Sequence, residues 1–180
     1  GEHAVPVRIY APNQDVSERY LDEPRPVLLF FHGGGWVTGN IDSYDKVCTD
    51  LAIHTRHLVV SVDYRLAPEY PFPAAPEDCY AVAREAFLHP GLLNARPEEI
   101  TLIGDSAGGN LAAAVSLMAR ERGEFMPSRQ ILLYPATAAD HHPETTPFDS
   151  IRENGTDYLL TAGRICGYLD LYKSSDEDLS

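Results

Sequence analysis

The stretch that most constrains how this chain folds is Thr101-Leu102-Ile103-Gly104-Asp105-Ser106-Ala107-Gly108-Gly109-Asn110. An apolar run ends in glycine, a serine follows two residues later, and two more glycines lead into the apolar-rich segment from Leu111 to Ala119. That order predicts a strand, a very tight turn and a helix. The G-x-S-x-G spacing of Gly104, Ser106 and Gly108 has a mechanical reason: the serine sits on a strained turn with its Oγ clear of the sheet. Side chains beside the turn would collide, so glycines flank it. The helix starting near Ala107 turns its free N–H groups and positive end toward Ser106. Ser106 is therefore a candidate nucleophile, and the Ala107 N–H a candidate donor to an oxyanion.

A second glycine cluster lies upstream. Val27-Leu28-Leu29-Phe30-Phe31 is continuously apolar and predicts a strand buried on both faces. His32-Gly33-Gly34-Gly35-Trp36 follows at once. Amides without side chains can converge on an anion, so Gly34, with Gly33 or Gly35, is the second expected source of oxyanion donors. His32 reads as a local hydrogen-bonding residue, because it precedes the serine and a base in this arrangement follows it.

The rest of the chain supplies the frame. Val5 to Tyr10 alternates apolar and polar, as an edge strand does, and the polar stretch from Ala11 to Pro26 reads as a loop. Ile41 to His57 reads as an amphipathic helix, Leu58 to Val62 as a strand, Glu77 to Leu88 as a helix, and Gln130 to Pro135 as another strand. Asp63, Arg65 and Glu69 are expected to pair with one another and hold the loop before the helix. Residues 136–158 are polar and irregular, a short helix is expected over Leu159 to Tyr172, and the tail from Ser174 is acidic. Strand and helix alternate, which implies parallel βαβ units and a three-layer α/β/α sandwich.

Charge and composition narrow the function. The net charge of −13 disfavours nucleic acid and anionic membrane surfaces as partners. No apolar run approaches the roughly 20 residues of a membrane span. No secretory leader is evident at the start. Cys48, Cys79 and Cys166 are scattered, with no C-x-x-C, and are expected to be free thiols packed in the fold. A cytoplasmic location is the matching expectation. His141-His142 lacks the i, i+4 geometry of a helical zinc site, so no metal is expected.

Three motifs in this order resemble the hormone-sensitive-lipase family of α/β-hydrolase esterases: His32-Gly33-Gly34-Gly35-Trp36, Asp63-Tyr64-Arg65-Leu66-Ala67-Pro68-Glu69, and Gly104-Asp105-Ser106-Ala107-Gly108-Gly109-Asn110. Tyr134-Pro135 is similar too. The resemblance implies a single α/β-hydrolase domain over 1–180, its mostly parallel sheet incomplete on the C-terminal side, with 136–172 helping to cover the pocket. It implies a serine carboxylesterase acting without cofactor on small short-to-medium acyl esters, with Ser106 as nucleophile and Gly33, Gly34, Gly35 and Ala107 around the oxyanion. Family members carry their catalytic Asp and His beyond the point matched here. Neither motif occurs in this sequence, so this chain alone is expected to be nearly inactive and to rely on a C-terminal portion of the same protein. A homodimer is left open. An internal triad through His141 or His142 is disfavoured, since Asp140 abuts His141 too closely to orient its ring. The alternatives are a non-catalytic small-ligand receptor on the same scaffold, similar to gibberellin receptors, and an amidase.

Overall fold

A computed structural model describes residues 4–12 and 24–175. The expected loop between Ala11 and Pro26 falls largely outside the described residues, as does the end of the acidic tail. Five strands form one sheet: β1 (Val7–Tyr10), β2 (Val27–Phe31), β3 (Leu58–Val62), β4 (Ile100–Asp105) and β5 (Arg129–Leu133). Their order is β1-β3-β2-β4-β5, with β1 antiparallel to β3 and the other pairs parallel.

The helices are α1 (Asp45–Thr55), α2 (Ala74–Leu88), α3 (Ala107–Arg122), α4 (Asp149–Asn154) and α5 (Ala162–Tyr172). Strand alternation divides the core in two. Leu29, Phe31, Val60 and Leu102 pack toward α2 and α3, whereas Leu28, Phe30, Val59 and Ile103 pack toward Cys48 and Ala52 of α1. Helices on both faces explain why β2 and β3 are buried at every residue. Cys48 and Cys79 are buried free thiols, and burial pushes the Cys48 thiol up to about 11.

This topology creates the site. The chain leaves β2 toward α1 on one face and leaves β4 toward α3 on the other. Such a divergence opens a crevice at the carboxyl ends of neighbouring parallel strands. The register places Phe31 opposite Gly104, so the glycine-rich loop and the serine turn emerge side by side.

Three local expectations change. Helix α2 begins at Ala74 rather than near Glu77, because Pro76 is tolerated in a first helical turn. The irregular stretch after Pro135 contains the short helix α4. Arg65 does not pair with Asp63 or Glu69. Its Nε and Nη2 donate to Asp78 at 2.8 and 2.7 Å, a two-pronged grip on a nearly buried carboxylate of α2, while Asp63 accepts the Ile41 amide at 3.3 Å.

Candidate active site

Ser106 joins β4 to α3 with φ 53° and ψ −117°, outside the regions that L-residues ordinarily occupy. Holding it there costs of order 1–3 kcal/mol. Backbone hydrogen bonds offset that strain: the Ser106 N–H donates to Leu133 at 2.9 Å, and its carbonyl accepts from Asn110 at 3.0 Å and Ala136 at 3.1 Å. The turn is also pressed against β2. A Cβ at Gly104 would strike the Gly108 carbonyl, and one at Gly108 would overlap the Phe31 carbonyl oxygen. Only glycine permits that approach, so these two residues are dictated by packing as much as by turn shape.

The glycine-rich loop is fastened to the turn by one side chain. Asp105 Oδ1 accepts the Gly33 N–H at 2.9 Å and its Oδ2 accepts the Tyr44 hydroxyl at 2.9 Å. The Tyr44 oxygen also lies 3.2 Å from the Gly33 nitrogen. Burial and the Asp105 charge raise the Tyr44 hydroxyl well above its ordinary range, so it remains a donor. The Gly33 amide is thereby committed to the clamp. Gly34 turns the loop at φ 123°, a conformation that L side chains rarely adopt. Its carbonyl accepts from the Thr38 N–H at 2.9 Å.

His32 is fully buried beneath this loop. Its Nδ1 lies 2.8 Å from the Gly33 carbonyl, which requires the Nδ1–H tautomer. The Tyr64 ring stacks on it at 4.3 Å, and the Tyr64 hydroxyl donates to the His32 carbonyl at 2.7 Å. Burial lowers the His32 pKa, so the ring is held neutral. Its role is to brace the loop, as its position in the sequence implied.

Ser106, Ala107, Gly34 and Gly35 all line one cleft of about 460 Å³. Leu159, Leu160, Ile165 and Tyr168 line it from the 136–172 region. Tyr168 stacks so closely on Gly35 that a Cβ there would collide with its ring. Helix α5 is pinned beside the loop: Tyr172 stacks on Trp36 at 4.4 Å, and the Tyr172 carbonyl accepts the Phe72 N–H at 2.7 Å.

The structure also brings in a residue that sequence reasoning set aside. His141 is half-buried and lines the same cleft, while His142 is exposed. Among the described residues no hydrogen bond joins His141 to Ser106 or to a carboxylate. Asp140 instead accepts the His142 N–H at 2.9 Å, and burial lowers the His141 pKa. The Tyr44–Asp105 fastening was missed because no local pattern links residues 61 positions apart.

Comparison with known proteins agrees with this geometry. A family model described as the alpha/beta hydrolase fold matches residues 28–180. The carboxylesterase NlhH of Mycobacterium tuberculosis is 40% identical over 168 residues, covering 93% of this chain and 49% of that protein. The ethyl acetate hydrolase of Pseudomonas putida is 33% identical over 180 residues, covering 98% of this chain and 53% of that protein. The solved esterase of the archaeon Pyrobaculum calidifontis superposes with a TM-score of 0.86 at 38% identity, covering 97% of this chain and 54% of that one. The chain therefore spans about half the length of the curated relatives it matches. These relatives are named as hydrolases, which does not favour the receptor reading. A serine turn and a glycine loop meeting at one cleft, on a sheet that superposes on known esterases, place this chain in the α/β-hydrolase fold family, among its hormone-sensitive-lipase-like esterases.

Proposed function

We propose that this chain carries the nucleophile and the oxyanion-stabilising loop of a serine carboxylesterase for small, short-to-medium acyl esters. The observation that carries the reading is that Ser106, Gly34, Gly35 and Ala107 border a single cleft. The first N–H groups of α3 have no acceptor within the helix, so they are free to receive an oxyanion.

In the reaction, Ser106 Oγ attacks the ester carbonyl and its proton passes to a general base. The carbonyl oxygen becomes an oxyanion held by the Gly34 and Gly35 amides from one side and the Ala107 amide from the other. The intermediate collapses, the alcohol leaves with the proton, and an acyl-serine remains. Water then attacks that acyl group, releasing the acid and restoring Ser106. The base and its orienting carboxylate come from a C-terminal portion of the same protein, because among the described residues no carboxylate is hydrogen-bonded to His141. Residues 136–172 act as the cover of the cleft. The cleft's size suits a small molecule, and the names of the ethyl acetate hydrolase and carboxylesterase relatives support a small ester.

A fluorophosphonate probe tests the reading. In protein that also carries the C-terminal base, it should form one covalent adduct at Ser106, identified by peptide mass spectrometry and absent in Ser106→Ala. An adduct elsewhere, with Ser106 unmodified, would refute it.

A further inference from the structure

Arg164 is the third residue of α5, after the N-cap Thr161, and lines the cleft that holds Ser106. A cation in a first helical turn faces the positive end of the helix dipole, where it is disfavoured. One arm is used locally: Nη1 donates to the Leu159 carbonyl at 2.9 Å. Among the described residues it forms no ion pair. Arg56, Arg120 and Arg129 form none either, so what sets Arg164 apart is its place in the cleft. Arg8, Arg65, Arg84, Arg96, Arg122 and Arg152 each contact a carboxylate. No described residue lining the cleft is acidic, and the walls around Arg164 are Leu159, Leu160, Ile165 and Tyr168.

We infer that Arg164 selects esters bearing an ionised carboxylate, such as monoesters of short dicarboxylic acids. This rests on the hydrolase reading above. The guanidinium receives the carboxylate while the ester carbonyl reaches toward Ser106. The strongly acidic exterior repels such substrates at long range, so the selection acts at the cleft itself and weakens as salt rises.

Trp36 is the chain's single tryptophan and borders the cleft, so its fluorescence reports occupancy. Titration with monomethyl succinate and with methyl butyrate compares a charged and a neutral ester of similar size. Monomethyl succinate should bind about fivefold more tightly, as expected for a solvent-reached ion pair. Arg164→Gln should erase the preference, Arg164→Lys should keep most of it, and Lys46→Gln, on the far face of the sheet, should leave it unchanged. Equal binding of the two esters, no detectable binding of monomethyl succinate, or a preference that survives Arg164→Gln would overturn the inference. Phosphonate labelling of Ser106 in the same samples reports on the hydrolase reading alone. A charge preference without an adduct would uphold the selection and count against hydrolysis.

Discussion

The two walls of the cleft are built on different terms. The wall from β2, β4 and α3 is held by backbone: Ser106 makes three main-chain hydrogen bonds, and Gly33 is clamped by Asp105. It has no room for a single added carbon at Gly104 or Gly108. The wall from residues 136–172 is held at fewer points, chiefly the Tyr172 ring on Trp36, Tyr168 on Gly35, and main-chain bonds at Ala136 and Tyr172. It leaves large apolar groups in solvent, with Leu159 at 91% and Tyr158 at 65% exposure. The lesson is a division of labour. Backbone geometry that admits no alternative residue supports chemistry common to many substrates. Side chains on a loosely held wall can be exchanged without disturbing that geometry.

The sheet repeats the contrast. Strands β2, β3 and β4 are covered on both faces, while β5 is an open edge with Ile131 and Leu133 each more than 40% exposed. An apolar strand edge of this kind is a pairing surface, which fits the proposal that more of the same protein lies against it.

The sharpest way to test the rigid wall is its nucleophile. In protein carrying its base, Ser106→Ala should lower kcat for p-nitrophenyl butyrate by about 10⁶. No cleft-lining substitution in the other wall should approach that loss.

A glycine-to-alanine pair then sets the walls directly against each other. Gly108→Ala forces a Cβ into the Phe31 carbonyl and should cost about 3 kcal/mol or prevent folding. Gly167→Ala, inside α5 with open space around its Cβ position, should stabilise by about 0.5–1 kcal/mol. Chemical denaturation measures both, and the same sign for the two would break the comparison.

Tyr44→Phe probes the clamp without adding bulk. Losing the hydrogen bond to Asp105 should destabilise the fold by about 1.5 kcal/mol, the lower end for a bond to a charged acceptor. Freed from its partner, the Gly33 peptide can swing the Gly34 amide off line, so kcat should fall about tenfold with KM little changed. A change confined to KM would assign Tyr44 to binding instead.

Acid gives the smallest effect. Burial lowers the pKa of both His32 and His141, so the folded state favours neutral rings. The unfolded chain takes up protons as the pH drops below about 6.5, so stability is full above that value and declines as pH falls toward the depressed folded values. His141→Gln should flatten part of the decline in Tm between neutral and mildly acid pH, leaving the His32 share. A Tm independent of pH across that range would contradict both assignments.

Much of this was legible in the residues. Gly104, Ser106 and Gly108 announce their turn because the constraint is local: φ, ψ and steric room belong to a few consecutive residues. His32 to Trp36 reads as a loop for the same reason. The apolar runs from Val27 and from Leu58 show strands through burial on both faces. Arg65 was assigned partners nearby in sequence, yet its guanidinium reaches Asp78 on α2, and a bidentate grip on a buried carboxylate outweighs solvent-exposed pairing within the loop. The sequence disfavours an internal triad through His141, yet the fold carries that residue to the cleft.

The chain's own order of residues thus settled the strands, the strained serine turn and the presence of a loop of bare amides, because each is written in short-range sterics and hydrophobic periodicity. Only the tertiary structure decided which amides remain free, which arginine stands in the cleft without a carboxylate, and what faces Ser106 across it. Those outcomes depend on contacts between residues tens of positions apart, as with Asp105 and Gly33, and their geometry exists only once the sheet register has set both strand ends side by side.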